Sequence, residues 1–363
     1  MKPGAKFAVV LSGVILLAVA FVPRALSLDR ALTIDERLWI DRSERFVENI
    51  FDGHLSRAYE TGHPGVTVMW LGGLAQKTLP DTASLRDRYV RARLALSIAD
   101  TALILFIAWV LASVAGGLAG VTGGLLLALD PFLLAHNRVL HLDGLLALLM
   151  AASLLSLMRG LRESSARWMA ISGVLAGLAA LTKQPSVFLV AAALVLLWRD
   201  GRGILRRFGL WVAAAAVGAF LLYPVLWVST IHPLGLMLGS AARGASDSHS
   251  GGFFLGRPVG NPGPLFYPVV FLWRTSVLTL PASIATTVWV LRSRGSETKL
   301  PRALLLFGLG FALMMTFGFK KGDRYLLPTI VAVDLAVAVA ASRVLAERPR
   351  GAVAAALVAG AVL

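Results

Sequence analysis

No cysteine occurs anywhere in the chain. That absence removes disulfides, thiolate nucleophiles and cysteine-based metal sites from consideration. Charge is scarce as well: 15% of the 363 residues are charged against 57% apolar, and the mean hydropathy is +0.75. A soluble domain carries roughly 25% charged residues, so the composition is that of a polytopic membrane protein. Acids are the scarcer sign, 20 against 35 Lys and Arg, which leaves a net charge of +15. The bases lie in short gaps between apolar runs, where they orient a membrane protein. No basic patch on a soluble domain and no nucleic-acid motif accompanies them, so nucleic acid is not an expected partner. The first apolar run, residues 7–23, follows Lys2 and Lys6 and lacks a small-x-small cleavage site. It reads as an uncleaved signal anchor with the N-terminus in the cytoplasm.

What the chain does have is one long polar stretch, residues 29–93, with ten acidic residues, half the total of 20. Thr33 to Glu36 has the capping-box spacing that opens a helix. Trp39, Ser43, Phe46, Val47 and Ile50 then share one face, which predicts an amphipathic helix over 34–51 lying on the membrane surface. His63-Pro64-Gly65 breaks the chain. Val66–Leu79 is apolar but only 14 residues long; a span needs about 20, so this run reads as interfacial or re-entrant. Spans are expected at 94–112, 117–135, 143–158, 168–182, 185–198, 208–229, 266–291, 303–319 and 326–342. The last run, 351–363, is too short for a comfortable span, so the chain reads as truncated or only partly inserted at that end. The expected fold is all-α: a polytopic transmembrane helical bundle of about ten or eleven spans, a single module over residues 1–363. Loop 230–265, rich in Gly and Pro, is a candidate lid, with bland flexibility the competing reading.

Charge tests the topology. With 66–79 not spanning, the N-terminus and segments 159–167, 199–207, 292–302 and 343–350 face the cytoplasm and carry 16 Lys and Arg. The outer loops after residue 112 carry seven: Arg138, Lys183, Arg243, Arg257, Lys320, Lys321 and Arg324. That bias obeys the positive-inside rule, and inverting the later loops would break it. The chain is therefore read as an inner-membrane protein with 29–93 on the outer face. Arg138, Lys183, Lys321 and Arg324 sit at the outer edges of spans, on the side of Asp35. A ring of such cations can hold the phosphate of a lipid. Asp143, five residues after Arg138 with His141 between, needs a partner at a span end, and either could supply it. Asp100 and Asp130 are further intramembrane acids. The Ala and Gly of 112–124 and 172–180 indicate close helix packing rather than a cofactor site.

Thr33-Ile34-Asp35-Glu36, followed by His63-Pro64-Gly65 ahead of an apolar run, resembles the first outer loop of the GT-C glycosyltransferases. Its nearest likeness is to the protein O-mannosyltransferases and lipid A aminoarabinose transferases of glycosyltransferase family 39 and its relatives. Arg138-Val139-Leu140-His141-Leu142-Asp143 is similar to their Arg-x-x-x-x-Asp element at the entrance to the fourth span. Leu181-Thr182-Lys183 and Arg324-Tyr325-Leu326-Leu327-Pro328 share the likeness, which covers roughly residues 5–340. His-Pro-Gly departs from the His-Pro-Pro of the eukaryotic mannosyltransferases, and no soluble outer domain separates the spans, which weakens a protein acceptor.

The resemblance implies a sugar donor on a polyprenyl phosphate, with a protein, lipid or glycan as acceptor. Asp35, Glu36 and Asp143 would be catalytic, with Asp35 as general base for an inverting displacement. His63, Arg138, His141, Lys183, Lys321, Arg324 and Tyr325 would bind the lipid phosphate and sugar. Asp35, Glu36 and His63 are ligand types a divalent metal could use, though their spacing is not diagnostic; a divalent metal is an open expectation and no other cofactor is expected. Glu36 has a competing role as the helix-opening residue, Arg138–Asp143 as a structural ion pair, Lys183 as a snorkelling lysine and Lys321 as a head-group contact. The competing class is a transporter or lipid flippase. Charges strung along a span axis would favour it, whereas here they gather at one face and no inverted repeat is visible.

Overall fold

The computed structural model describes residues 3–62, 64–229, 231–246, 252–293 and 295–347, so His63 lies outside the described residues. The helices are α1 (Pro3–Ala25), α2 (Ile34–Phe51), α3 (Val66–Gln76), α4 (Leu85–Ala115), α5 (Gly117–Leu129), α6 (Pro131–His136), α7 (Leu142–Glu163) and α8 (Ala166–Thr182). They continue as α9 (Phe188–Asp200), α10 (Ile204–Leu222), α11 (Val225–Val228) and α12 (Ile231–Ser246). A two-stranded antiparallel hairpin, β1 (Gly252–Phe254) and β2 (Arg257–Val259), pairs Phe253 with Pro258. The described chain closes with α13 (Phe266–Arg274), α14 (Thr279–Arg292), α15 (Lys299–Phe317) and α16 (Leu327–Glu347).

Five of these segments are long and apolar enough to cross a membrane: Leu85–Ala115, Leu142–Glu163, Ile204–Leu222, Ser296–Phe317 and Asp323–Ala346. The pair α13 and α14 adds a sixth only as a broken span, bent by 115°. The other expected apolar runs include the shorter helices Val10–Ala25, Val66–Gln76, Gly117–Leu129 and Ala166–Thr182, and two of the breaks have local causes. The run 117–135 is broken where Asp130 accepts a hydrogen bond from the Leu133 amide (2.7 Å) and Pro131 starts α6. The run 185–198 becomes α9, only 13 residues long. In the other direction, α4 starts nine residues before the expected span. Ser84 and Asp87 close a capping box, so the charged end of the polar stretch is the first turns of a long helix rather than loop.

The bundle is organised around α7, which is apolar on all sides and buried over most of its length. A helix with no polar face has to be surrounded, and α4, α8 and α16 pack against it. Between α7 and α8 the hydroxyls of Ser153 and Ser172 donate to each other's carbonyls (2.9 and 2.8 Å), and the Trp211 indole of α10 donates to Ser172 Oγ (2.9 Å). Gly173 and Gly177 admit the α10 backbone: a Cβ on either would stand 2.3 Å from a carbonyl oxygen, of Trp211 and Ala215 respectively. The small residues of 172–180 thus serve close packing. Buried Arg24, at the end of α1, donates to the carbonyls of Ala20 (3.0 Å), Ala128 (2.9 Å) and Leu127 (3.1 Å). It satisfies the open carbonyl end of α5 and fixes where the chain leaves α1 towards α2.

Candidate active site

The amphipathic pattern at 34–51 is realised as α2, whose buried face is Glu36, Trp39, Ile40, Ser43, Phe46 and Val47. That face lies on α3, which is too short to span. Gly73 permits the contact, since a Cβ there would stand 2.2 Å from the Ser43 carbonyl. Gly65 adopts φ +59°, and a Cβ would strike the Trp39 ring at 2.2 Å. The first turn of α2 presents Asp35 and Glu36 on different sides, because successive helical residues are about 100° apart.

Glu36 is fully buried. Arg93 of α4 grips it with Nε to Oε1 (2.7 Å) and a terminal nitrogen to Oε2 (2.6 Å). The amides of Thr33 (2.9 Å) and Leu140 (2.8 Å) complete its shell. Burial alone would raise the Glu36 carboxyl, but the Arg93 guanidinium and the two amides outweigh it and hold the group below its ordinary value. Arg93 also donates to the carbonyls of Leu28, Arg30 and Ala31. This knot ties the α1–α2 connection, α2, α4 and the segment before α7 together. The expectation of a catalytic Glu36 is corrected: every oxygen lone pair it could offer is engaged, and none reaches open space.

Asp35 faces the other way, with 43% of its side chain exposed. His141 Nε2 stands 3.5 Å and Arg324 3.1 Å from Asp35 Oδ2. The His141 contact and the Arg324 charge hold its carboxyl well below the usual carboxylate range, against the opposing push of partial burial. The second carboxylate, Asp143, sits in the first turn of α7, where the helix dipole favours an anion. Lys183 donates to Asp143 Oδ1 at 2.6 Å, while His141 Nδ1 (3.0 Å) and Arg324 Nε (3.4 Å) approach Oδ2. His141 and Arg324 therefore each bridge the two carboxylates.

Lys183 is nearly buried, follows the last turn of α8, and lies with its ammonium 4.2 Å from the centre of the Tyr325 ring. Burial pushes that ammonium down and Asp143 opposes the shift. The end of α8 is held to the first outer loop: Gly65 N–H donates to the Thr182 carbonyl (3.1 Å), the Thr67 and Thr182 hydroxyls meet at 2.7 Å, and Gln184 donates to the Gly62 carbonyl (3.0 Å). Arg324 is delivered by the turn before α16. Its neighbour Asp323 points away to Arg274 at 2.6 Å.

The structure thus brings Asp35, His141, Asp143, Lys183, Arg324 and Tyr325 to one place. It leaves two expected phosphate ligands out. Arg138 does not pair with Asp143; it donates to the Leu26 carbonyl. Lys321 donates to the carbonyls of Thr316 (2.9 Å) and Gly318, closing the end of α15. Both cations cap main-chain carbonyls. Glu36 is enclosed and has no lone pair left for a metal, His63 lies outside the described residues, and among the described residues no three His, Cys, Asp or Glu side chains could hold one. The residue missed from the sequence is Arg93. It looked like one of ten bases in a polar loop, and only Glu36's need for a buried partner marked it.

Compared with solved structures, the chain superposes on ArnT from Cupriavidus metallidurans bound to undecaprenyl phosphate with a TM-score of 0.69 at 20% identity, over 93% of this chain and 60% of ArnT. The chain has the GT-C fold. The oligosaccharyltransferase of Archaeoglobus fulgidus shares it, with a TM-score of 0.59 at 13% identity over 98% of this chain. The same archaeal enzyme, AglB, in complex with an inhibitory peptide and a dolichol-phosphate gives 0.55. The chain spans 60% of the length of ArnT and 52% of that of the oligosaccharyltransferase. The family profile of the dolichyl-phosphate-mannose-protein mannosyltransferases matches residues 83–228, a segment that includes Arg93, His141, Asp143 and Lys183. A search of curated proteins by sequence finds no match.

Proposed function

We propose that this chain is a membrane glycosyltransferase that moves a sugar from a polyprenyl-phosphate carrier to an acceptor on the outer face of the membrane. The observation that carries the reading is the convergence of Asp35 and Asp143 on His141 and Arg324, with Lys183 behind them. The two carboxylates balance the two permanent cations, so an arriving phosphate meets a site without net anionic repulsion. The half-exposed Arg324, already spread between both carboxylates, is the cation free to turn to that phosphate. Lys183, buried and bonded to Asp143, holds the second acid in place.

Asp35 is ionised and open, as a general base must be. The acceptor oxygen attacks the anomeric carbon as Asp35 takes its proton. The bond from that carbon to the phosphate oxygen breaks, and the lipid phosphate leaves with the electron pair. Arg324 meets the charge that develops on it. A single displacement inverts the anomeric centre, and the bond breaks with oxocarbenium character as in glycoside chemistry generally. His141 holds the two carboxylates apart and orients Asp35. The likeness to ArnT bound to undecaprenyl phosphate supports a lipid-phosphate donor.

The test is transfer from a panel of polyprenyl-phosphate sugars by purified protein in detergent, with Asp35→Asn and Asp143→Asn beside it. Turnover in the wild type and its loss in both variants is the expected result. Undiminished transfer by Asp35→Asn overturns the assignment of the base. Movement of a lipid-linked sugar across liposomes without turnover overturns the enzyme reading in favour of transport.

A further inference from the structure

Helices α4 and α8 both pack on α7 and meet each other through aromatic rings. The gap between them is a cavity of about 550 Å³, lined by Ala102, Leu103 and Phe106 of α4 and by Arg167, Ala170 and Val174 of α8. It is apolar except at the Arg167 end. There the indoles of Trp109 and Trp168 meet, with ring centroids 5.3 Å apart, and bridge the two helices. Arg159 lies over both rings, 4.0 Å from that of Trp168 and 5.0 Å from that of Trp109. A groove of apolar side chains, ending in a tryptophan pair and an arginine, has the depth profile of half a bilayer: acyl chain below, head-group level above.

The arginines at this end are not equivalent. Arg159 donates to Glu163 at 2.8 Å. Arg162 donates to the Val114 and Ser113 carbonyls at the end of α4. Arg167 is exposed and, among the described residues, has no carboxylate or hydrogen-bond partner. It also stands sixteen residues before Lys183 on α8, about 24 Å along the helix. The groove is therefore at the opposite face of the membrane from the carboxylate centre and cannot be part of that site.

We infer that this groove is a binding site for one anionic phospholipid of the opposite leaflet, with an acyl chain between α4 and α8 and the phosphate on Arg167. The unpaired guanidinium supplies the charge complementarity, and its planar fork suits a phosphate better than an ammonium does. The small side chains of Ala102 and Ala170 leave the chain its room.

Native mass spectrometry of the detergent-purified protein tests this, after exchange into micelles doped with phosphatidylglycerol or phosphatidylcholine. The wild type is expected to hold one phosphatidylglycerol in preference to phosphatidylcholine. Arg167→Gln should lower that retention about fivefold, the effect of one cation at an anionic lipid surface. Ala170→Trp, which fills the groove, should abolish retention of either lipid. Arg206→Gln, an exposed arginine off the groove, should leave retention unchanged. The inference is overturned by equal retention of the two lipids, by an Arg167→Gln variant that behaves as wild type, or by an Arg206→Gln loss as large as that of Arg167→Gln. Circular dichroism of each variant confirms that a loss of lipid is not a loss of fold.

Discussion

Asp35 and Glu36 are adjacent in the chain and belong to two different regions. Glu36 lies in a closed knot where every oxygen is matched by Arg93 or a main-chain amide. Asp35 lies in an open cluster whose partners, Arg324 and His141, are shared with a second acid. Both carboxyls are held below their ordinary values, and the same direction serves two ends. In the knot it reports a buried ion pair that locks four segments. In the cluster it reports a base kept ionised where a substrate can reach it. The lesson is that a depressed carboxylate marks function only when some of its surface and some of its partners remain available.

The comparison can be broken by mutation. The largest effect expected is from Asp35→Asn, which removes the general base and should lower transfer about 10²- to 10⁴-fold while leaving the melting temperature unchanged. Glu36→Ala should do the reverse. It strands Arg93 in the interior and should cost about 3–5 kcal/mol of stability, seen as a lowered melting temperature, with the surviving folded fraction still active. Loss of activity without loss of stability in Glu36→Ala would show that the two regions are one. Lys183→Met should affect both readouts, since it frees a buried carboxylate inside the site. Transfer should fall about 10²-fold, the usual cost of losing one charge-stabilising donor, and stability should fall with it.

A pH profile sharpens the same contrast. Asp35 has a lowered folded-state pKa, so the base is present above that value and is lost only as pH falls through it. In the wild type the acid limb of kcat/KM from Asp35 should lie below the ordinary carboxylate range. In Arg324→Gln it should move up, because one of the charges that lowers it is gone. Stability from Glu36 follows the same sign: present above its unfolded value and lost on acidification through the folded one. The smallest effect expected is from Lys321→Met. Losing a cation at the end of α15 should cost about 0.3–1 kcal/mol, and the affinity for lipid phosphate should be unaltered.

Much of this fold was legible along the chain. The cap at Thr33 and the stripe Trp39, Ser43, Phe46 and Val47 mark α2 because a helix that must bury one face repeats its apolar residues every three to four positions. The shortness of Val66–Leu79 marks a helix that cannot span. The lengths of the individual helices were less legible, because apolarity along a run does not register a break such as Asp130-Pro131 or the bend after Arg274. Of the cations at the outer edges, Lys183 and Arg324 meet the carboxylates while Arg138 and Lys321 do not. All four stand at the ends of apolar runs, and that position is all a hydropathy pattern reports.

Composition and order therefore determined that this chain enters a membrane, that its helices alternate with short turns, and that its acids collect after the first span. These follow from the cost of burying charge and from the hydrogen-bonding needs of a backbone in lipid, both of which act locally. Which cation meets which acid was decided only by the tertiary structure. Asp35, Asp143, Lys183 and Arg324 come from four elements spread over nearly 300 positions, and their contacts depend on how α2, α7, α8 and α16 lie against one another. The capping spacing that opens α2 is equally compatible with a catalytic or a structural Glu36. The packing of α4 against that turn brings Arg93 to Glu36, and the helical twist of one residue leaves Asp35 facing the site.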